Sequence, residues 1–410
     1  MIHVCFGVYD KDGRYSKFAG TAIASIFDNT TSEVTVHILH DNTMTLANYE
    51  KFVYLAGKYG QQIKFYNVEK ICADKIADFQ KKFFYKDTSK FTIGIMYRLL
   101  VINVLEKAIE KIIYLDSDII VNLDIKKLWK IELGDKFIAA AAESEGTGIP
   151  AKNYLAMCRD GIVADDEYFN SGVLLINLEK LRQEESAVMR GIEFIAEHPQ
   201  YINFDQDVLN YCFSKKFLKL TRNFNRFVVH SRRESDGQTD ERILHYISTS
   251  QGLGVSLNLR DPFNRLWFKY FEKTPWFNAE SIGHIYEGVR QIQHELQSRT
   301  IWMSKVMAGR QRAFFVPPNN LEPMKKVFGV DDNDEVILAI GMESLQQLID
   351  SMKKSKGAKL YFILTAQFPG VQATLTREGF KDGRDFVNGL IFLSEAHGVP
   401  MNSYPLIKAL

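Results

Sequence analysis

Two aspartates interrupt an apolar segment at residues 112–121, which reads I-I-Y-L-D-S-D-I-I-V. An ionised carboxylate that is removed from water costs several kcal/mol unless its charge is compensated. Asp116 and Asp118 could therefore face a cation. Alternatively, the strand could end at Leu115 and release both acids into an exposed turn, where aspartate is common.

The spacing of these two acids suits a cation site. Residues two apart in an extended backbone point to the same side, so the carboxylates of Asp116 and Asp118 would repel each other unless a cation neutralised them. Carboxylates with open water positions suit Mg²⁺ and Mn²⁺. Such an ion could bind phosphate oxygens of a substrate and stabilise charge on a leaving group.

A further polar group precedes a predicted buried strand at residues 169–178, F-N-S-G-V-L-L-I-N-L. Asn170 and Ser171 stand at its start, and Gly172 would allow another part of the chain to approach closely. Taken alone, this pattern is more typical of a polar turn that leads into a strand.

Two more candidate groups lie later in the chain. The acid–amide–acid sequence at 205–207 begins a predicted helix, where acids commonly act as N-terminal caps. His245 follows a short apolar run in I-L-H-Y, and a lone histidine is more often a structural residue. Its neutral imidazole could instead complete a metal site that Asp116 and Asp118 begin.

The order of the surrounding elements predicts an α/β fold. Strand-like segments alternate with helix-like ones, as is typical of a layered domain with a largely parallel sheet. In such sheets, ligands bind beyond the carboxyl ends of the strands, which is where the two acids lie. The predicted strands are 2–8, 34–39, 62–66, 111–115, 137–142 and 172–178, and the predicted helices are 18–27, 46–57, 95–108 and 178–197.

Changes in pattern divide the chain into three regions. Residues 1–280 form the main α/β domain, residues 281–312 a helical linker, and residues 313–410 a small Rossmann-like α/β domain. The stretch E-V-I-L-A-I-G at 335–341 has a single glycine where a dinucleotide-binding loop needs several, so no dinucleotide is assigned. We interpret the C-terminal domain as a non-catalytic module for packing or homo-oligomerisation.

Composition excludes several classes of protein. A net charge of +1 over 410 residues gives no broad electrostatic surface for nucleic acid. The N-terminus has no features of a secretory signal, and no run of 18 apolar residues predicts a spanning helix. The four scattered cysteines favour reduced thiols in a cytoplasmic protein over a zinc site or disulfides.

The ordered motifs of roughly the first 280 residues resemble those of family 8 retaining glycosyltransferases, which have the GT-A fold, a Rossmann-like arrangement with a mostly parallel mixed sheet. This family includes bacterial lipooligosaccharide galactosyltransferases and glycogenin. The resemblance implies a nucleotide-sugar donor, usually UDP-linked, and a bound Mn²⁺ or Mg²⁺. The motifs are C-F-G-V-Y-D with Tyr15, M-Y-R-L-L at 96–100, Y-L-D-S-D at 114–118, F-N-S-G-V-L-L-I-N-L, D-Q-D-V-L-N and L-H-Y.

The resemblance also implies roles for individual residues. Asp116, Asp118 and His245 match the metal ligands of the family, while Asp10 and Tyr15 fall where the family contacts uracil. The remaining positions concern the donor. Arg98 matches a basic residue near it, and Gln206 matches the residue beside the anomeric carbon. The groups that hold its sugar are matched by Asn170 and Asp205. The predicted donor site is completed by Ser117, Ser171 and Gly252. Asp205 and Gln206 are the predicted catalytic residues.

One departure from the family pattern concerns the diphosphate. The family usually follows its histidine motif with a glycine and then Lys-Pro-Trp, whose lysine reaches the diphosphate. Gly252 or Gly254 could be that glycine, but no Lys-Pro-Trp follows, and K-T-P-W at 273–276 matches a later family stretch better. Another cation could replace the lysine, backbone N–H groups could hold the diphosphate, or activity could be weak.

The predicted function is therefore metal-dependent transfer of a hexose, glucose or galactose, from a UDP-sugar to a saccharide, glycolipid or glycoprotein acceptor. The alternatives are a catalytically weak scaffold that binds UDP-sugars and a nucleotide-sugar hydrolase. The predicted location is the cytoplasm, and peripheral association with the inner face of a membrane stays open.

Overall fold

The computed structural model describes residues 1–84, 92–144, 150–228, 238–247, 261–283, 286–287, 290, 305 and 307–390. The chain divides into two compact units, one from Met1 to Ile282 and a second that begins at Gly283. The predicted linker at 281–312 lies largely outside the described residues. No helix of the described residues has both the length and the apolar character needed to cross a membrane.

Strands and helices alternate along the first unit. Its strands are β1 (Ile2–Val8), β2 (Val34–His40), β3 (Gln62–Asn67), β4 (Lys111–Leu115), β5 (Ile119–Asn122), β6 (Ile138–Ala141), β7 (Val173–Asn177), β8 (Phe217–Leu220), β9 (Arg226–Phe227) and β10 (Arg242–His245). Its α-helices are α1 (Arg14–Asn29), α2 (Leu46–Tyr59), α3 (Val68–Ile71), α4 (Ala73–Phe83), α5 (Val101–Val104), α6 (Lys126–Trp129), α7 (Ala156–Arg159), α8 (Leu178–Gln183), α9 (Glu185–Glu197), α10 (Phe204–Phe213) and α11 (Pro262–Phe271). Short 3₁₀ helices span Ile93–Leu100, Ala151–Asn153, Ser214–Lys216 and Arg222–Phe224.

Within the described residues, a seven-stranded sheet has the order β3-β2-β1-β4-β7-β6-β8, and a smaller sheet has the order β5-β10-β9. Strands β3, β2, β1 and β4 are parallel to one another, whereas β7 runs antiparallel to both β4 and β6. The predicted α/β fold with a mostly parallel mixed sheet is therefore confirmed. The antiparallel strand β7 brings its amino end to the carboxyl end of β4.

The central strand β4 is rigidly placed because it pairs with β1 on one side and β7 on the other. The apolar side chains from Ile112 to Leu115 are at most 1% exposed. Each large apolar side chain that is buried in this way stabilises the fold by about 1.5–3 kcal/mol. The residues that follow Leu115 are therefore held in a fixed position at the carboxyl end of β4.

Two predicted helices differ from the structure. Residues 95–108 were expected to form one helix, but a 3₁₀ helix spans Ile93–Leu100 and a single α-helical turn ends at Val104. Most side chains of Ile93–Leu100 are buried, so tertiary packing rather than an amphipathic period decides the local conformation. The helix expected at 178–197 is broken at Glu184 into α8 and α9.

The second unit is a smaller α/β layer structure. A four-stranded sheet of the described residues has the order β12-β11-β13-β14, with all neighbours parallel and an apolar core on each face. The elements are β11 (Gln311–Val316), α12 (Leu321–Phe328), β12 (Glu335–Leu338), α13 (Gly341–Ser355), β13 (Lys359–Ile363), α14 (Phe368–Arg377) and β14 (Phe386–Asn388), with a 3₁₀ helix at Pro318–Asn320.

Candidate active site

The two aspartates lie in the turn between β4 and β5. The strand ends at Leu115, and the chain re-enters a strand at Ile119. Two backbone hydrogen bonds hold the turn, since the N–H of Asp116 donates to the carbonyl of Gly172 at 2.9 Å and the N–H of Tyr246 donates to the carbonyl of Asp118 at 2.8 Å. The side chains remain 25% and 19% exposed, so both carboxylates can reach a ligand.

His245 reaches the same turn because β10 pairs antiparallel with β5, which places it opposite Ile119. Its Nε2 lies 3.2 Å from Oδ1 of Asp118 and 3.8 Å from Oδ2 of Asp116. Burial lowers the pKa of His245, but the charges of Asp118 and Asp116 more than offset this effect, and the pKa lies above its ordinary value. The imidazole therefore sits where a positive charge is favoured.

Gly172 leaves the space that the imidazole occupies. A Cβ atom at this position would lie 2.2 Å from Cε1 of His245 and 2.9 Å from Oδ2 of Asp116. Any side chain there would displace the ring or the carboxylate. The close approach that the sequence predicted for this glycine is therefore explained by two of the three predicted metal ligands.

Arg98 is a buried cation that joins the turn to helix α10. Its Nη2 lies 2.6 Å from Oδ1 of Asp116, its Nε lies 2.8 Å from Oδ2 of Asp205, and its Nη1 donates to the carbonyl and hydroxyl oxygens of Ser171 at 2.6 and 2.8 Å. Burial alone would lower the pKa of Arg98, but the charges of Asp116 and Asp205 raise it above the usual range. The guanidinium therefore acts as a fixed structural charge rather than as a mobile one.

The charge of this cluster suits a divalent cation. Asp116, Asp118 and Asp205 carry three negative charges when ionised, and Arg98 supplies one positive charge, which leaves two negative charges in excess when His245 is neutral. Burial raises the pKa of Asp116 above its usual range and that of Asp205 to about 7, although Arg98 opposes both shifts. One carboxylate or imidazole atom from each of Asp116, Asp118 and His245 falls within 4.8 Å of the others. Oxygen and imidazole donors in this arrangement fit Mn²⁺ or Mg²⁺.

The predicted donor-site amides form a network beside Arg98. Oε1 of Gln206 accepts hydrogen bonds from the Ser171 N–H at 2.9 Å and from Nδ2 of Asn170 at 3.1 Å. Nε2 of Gln206 donates to the hydroxyl of Tyr168 at 3.3 Å, and that hydroxyl donates to Oδ1 of Asp207 at 2.6 Å. The carboxamide of Gln206 is thus locked in one orientation.

Comparison with known proteins identifies the architecture. The model of glycosyl transferase family 8 matches residues 7–251, which include the acid turn, the amide network and His245. The chain belongs to glycosyl transferase family 8. The resemblance seen in the sequence motifs is therefore confirmed.

Relatives of this family 8 chain come from several bacteria. A putative glycosyltransferase of Haemophilus influenzae is 28% identical over 219 residues, which cover 53% of this chain and 62% of that protein. A lipopolysaccharide 1,2-glucosyltransferase of Escherichia coli is also 28% identical over 219 residues, covering 52% of this chain and 60% of that enzyme. The chain thus spans about three fifths of the length of these two relatives.

The general fold of the family 8 chain also matches solved structures. The crystal structure of the galactosyltransferase LgtC in complex with donor and acceptor sugar analogues superposes with a TM-score of 0.53 and 21% identity. The superposition covers 69% of this chain and 99% of that enzyme. This likeness confirms the GT-A fold.

The remaining predicted site residues of this family 8 chain are Asp10, Tyr15, Ser117 and Gly252. Asp10 is 1% exposed and accepts hydrogen bonds from Ser16 and Asn48, which fix the start of α1. Tyr15 lies in the first turn of α1 and is 36% exposed. Ser117 is buried within the acid turn, and among the described residues its Oγ has no hydrogen-bond partner. Gly252 and Gly254 fall outside the described residues.

Lys273, in the K-T-P-W stretch, contacts helices α1 and α2. Its Nζ forms an ion pair with Oδ2 of Asp28 at 2.6 Å, at the end of α1. Trp276 donates from its indole nitrogen to Asn48 at 2.9 Å. The K-T-P-W stretch therefore packs against α1 and α2.

Three site residues of the family 8 chain were missed in the sequence. Glu143 accepts a hydrogen bond from Asn170 at 2.9 Å, Tyr168 connects Gln206 with Asp207, and Asn225 lies 3.0 Å from His245. Glu143 follows β6, Tyr168 precedes the F-N-S-G motif and Asn225 precedes β9. Only the spatial meeting of β6, β7, β9 and α10 reveals their contacts.

Proposed function

We propose that this family 8 glycosyltransferase is a metal-dependent retaining hexosyltransferase. It transfers glucose or galactose from a UDP-sugar to a saccharide, glycolipid or glycoprotein acceptor in the cytoplasm. The observation that carries the proposal is the convergence of Asp116, Asp118 and His245 within 4.8 Å, beside the amides predicted to hold the donor sugar. The name of the Escherichia coli relative, a lipopolysaccharide glucosyltransferase, supports a hexose and a saccharide acceptor.

The metal would be held by the carboxylates of Asp116 and Asp118 and by Nε2 of His245. When bound, a Mn²⁺ or Mg²⁺ ion neutralises the negative charge of a leaving diphosphate. Arg98 keeps Asp116 in place from behind, since its guanidinium bonds the oxygen of Asp116 opposite to the one that faces His245. The protein thus fixes the direction of the carboxylate before any ligand arrives.

Gln206 positions the donor sugar rather than attacking it. A carboxamide oxygen is a poor nucleophile, and Oε1 of Gln206 already accepts hydrogen bonds from Asn170 and Ser171. We infer that its carbonyl dipole stabilises positive charge on the anomeric carbon while the acceptor hydroxyl attacks from the face that the diphosphate leaves. This geometry retains the anomeric configuration without a covalent intermediate.

The acceptor proton passes to the departing phosphate. Asp205 is paired with Arg98, and Asp207 accepts hydrogen bonds from the hydroxyl of Tyr168 and the N–H of Asn203. Both carboxylates are therefore engaged inside the protein. We assign Asp205 to orientation of the donor sugar, together with Asn170.

Transfer to a panel of acceptors tests the proposal, with UDP-glucose and UDP-galactose as donors and Mn²⁺ present or absent. We expect UDP release that depends on acceptor and metal, and loss of metal-dependent UDP binding in Asp118→Asn. Asp135→Asn is the matched control, because that side chain is 86% exposed. Intact UDP binding without single-turnover transfer would favour a scaffold protein, and release of UMP would favour a nucleotide-sugar hydrolase. Unchanged metal-dependent UDP binding in Asp118→Asn would refute the metal site.

We infer that the first unit carries the transfer reaction and that the second serves packing or oligomerisation. No nucleic acid is expected as a partner. Peripheral association with a membrane would follow if the acceptor is a glycolipid.

A further inference from the structure

A chain of buried amides lies behind His245, on the side away from the two aspartates. Asn225 is its central member. It is fully buried and stands between the 3₁₀ helix Arg222–Phe224 and strand β9. Its side chain lies 3.0 Å from Nδ1 of His245 and 2.8 Å from Oδ1 of Asn170.

The orientation of the Asn170 amide follows from its other partners. The backbone N–H of Gly172, which can only donate, lies 2.9 Å from Oδ1 of Asn170. An oxygen of the Glu143 carboxylate, which accepts, lies 2.9 Å from Nδ2 of Asn170. The oxygen and nitrogen of this amide are therefore assigned by groups whose hydrogen-bonding roles are fixed.

The orientation of Asn225 then follows in turn. Because Oδ1 of Asn170 accepts, the atom of Asn225 that faces it must be the donating Nδ2. The other atom, Oδ1, faces Nδ1 of His245 and can only accept. Nδ1 of His245 must therefore carry a proton. In the neutral imidazole, the lone pair then lies on Nε2, which points at Asp118 and Asp116.

We propose that Asn225 is a positioning residue that fixes the tautomer and the ring direction of His245, so that Nε2 is ready to bind the metal. This inference rests on the metal site of the proposed function. Phe227 supports the same geometry, since its ring packs edge-on against the imidazole with centroids 5.7 Å apart. Partners behind a metal-binding histidine commonly set its tautomer, and their loss weakens metal binding about 10–100-fold.

The same amide chain connects the metal site with the donor-sugar site. Asn170, which accepts from Asn225, also donates to Oε1 of Gln206 at 3.1 Å. Hydrogen bonds therefore run without a break from His245 through Asn225 and Asn170 to Gln206. Asn225 thus contacts one residue of the proposed metal site and one of the proposed donor-sugar site.

Manganese affinity of the full-length protein, measured without donor by the loss of the free-ion EPR signal, tests this role. We expect Asn225→Ala to bind Mn²⁺ about 10–100-fold more weakly than the wild type. Asn264→Ala removes another fully buried asparagine of the same unit and should bind Mn²⁺ as the wild type does. Circular dichroism and the melting temperature report whether each variant is folded.

Nitrogen NMR of the wild-type protein with ¹⁵N-labelled histidine gives a second test that does not depend on folding of a variant. At alkaline pH and without metal, we expect His245 to carry its proton on Nδ1, with its signals identified by their absence in His245→Gln. An unprotonated Nδ1, or a folded Asn225→Ala that binds Mn²⁺ at wild-type strength, overturns the inference. If His245→Gln binds Mn²⁺ as tightly as the wild type, the proposed metal site itself is wrong.

Discussion

Replacing Gly172 with alanine should disrupt the metal site while it leaves the fold intact. The added Cβ would lie 2.2 Å from Cε1 of His245, which is about 1.2 Å inside the 3.4 Å at which ordinary contact begins. It would also lie 2.9 Å from Oδ2 of Asp116, so the ring cannot be accommodated by a shift toward the carboxylate. The imidazole must therefore move by about 1 Å or more away from the acid turn.

The size of the effect follows from this displacement. Inserting a methyl group into a well-packed site costs about 1–3 kcal/mol of stability. A misplacement of about 1 Å in a catalytic arrangement can lower activity about 10²-fold. We therefore expect Gly172→Ala to remain folded, to bind Mn²⁺ at least about tenfold more weakly, and to lose about 10²-fold in transfer rate.

Gly57→Ala is the matched control, because the same substitution there meets no atom within 4 Å. Gly57 lies inside helix α2, where alanine is favoured over glycine by about 1 kcal/mol, so the control should be as stable as the wild type or more stable. Chemical denaturation measures stability, and titration with Mn²⁺ measures affinity. Wild-type Mn²⁺ affinity and stability in Gly172→Ala would refute the close contact between Gly172 and His245.

Three further predictions concern buried charges and the amide network. Arg98→Met leaves the buried carboxylate of Asp205 and the partly buried one of Asp116 unpaired, and it should lower the free energy of unfolding in urea by about 3–5 kcal/mol. Lys64→Met breaks an exposed pair and should cost less than about 1 kcal/mol, and equal costs would contradict the burial of Arg98. Burial raises the pKa of Asp207 from 3.8 to about 6, so the folded state binds this proton more tightly than the unfolded state. The stability of the wild type relative to Asp207→Asn should therefore fall by up to about 3 kcal/mol as the pH rises from about 4 to about 6. A rise in relative stability over this range would show that the pKa shift has the opposite sign. Gln206→Ala should lower kcat about 10²-fold and change the KM for the donor far less, and steady-state kinetics in which only KM changes would assign Gln206 to ground-state binding.

Local sequence features predicted the fold class and the position of the two acids. The apolar residues before Asp116 predict a buried strand that ends there, and β4 does end at Leu115, with both acids in a turn that also faces His245. That these acids face a cation stays a prediction. His245 itself could be placed beside them only through the family resemblance. The pairing of its strand β10 with β5 joins segments that are more than a hundred residues apart in the chain, and periodicity along one strand cannot reveal such a pairing.

Arg98 shows why other parts of the site could not be predicted from local pattern. The segment 95–108 that contains it was predicted to be one helix, yet nearly all side chains of Ile93–Leu100 are buried in a 3₁₀ segment. The arginine is held there by Asp116, from the turn after β4, and by Asp205, from helix α10. Asn225 is a similar case, since its role depends on Asn170 and on a backbone N–H that belongs to Gly172.

Anomalous diffraction from crystals grown with Mn²⁺ and UDP tests the central claim most directly. We predict a manganese peak in direct contact with carboxylate oxygens of Asp116 and Asp118 and with Nε2 of His245, with the diphosphate of UDP completing the coordination. A manganese peak elsewhere, with these three side chains turned apart and the UDP bound without them, would contradict the proposal.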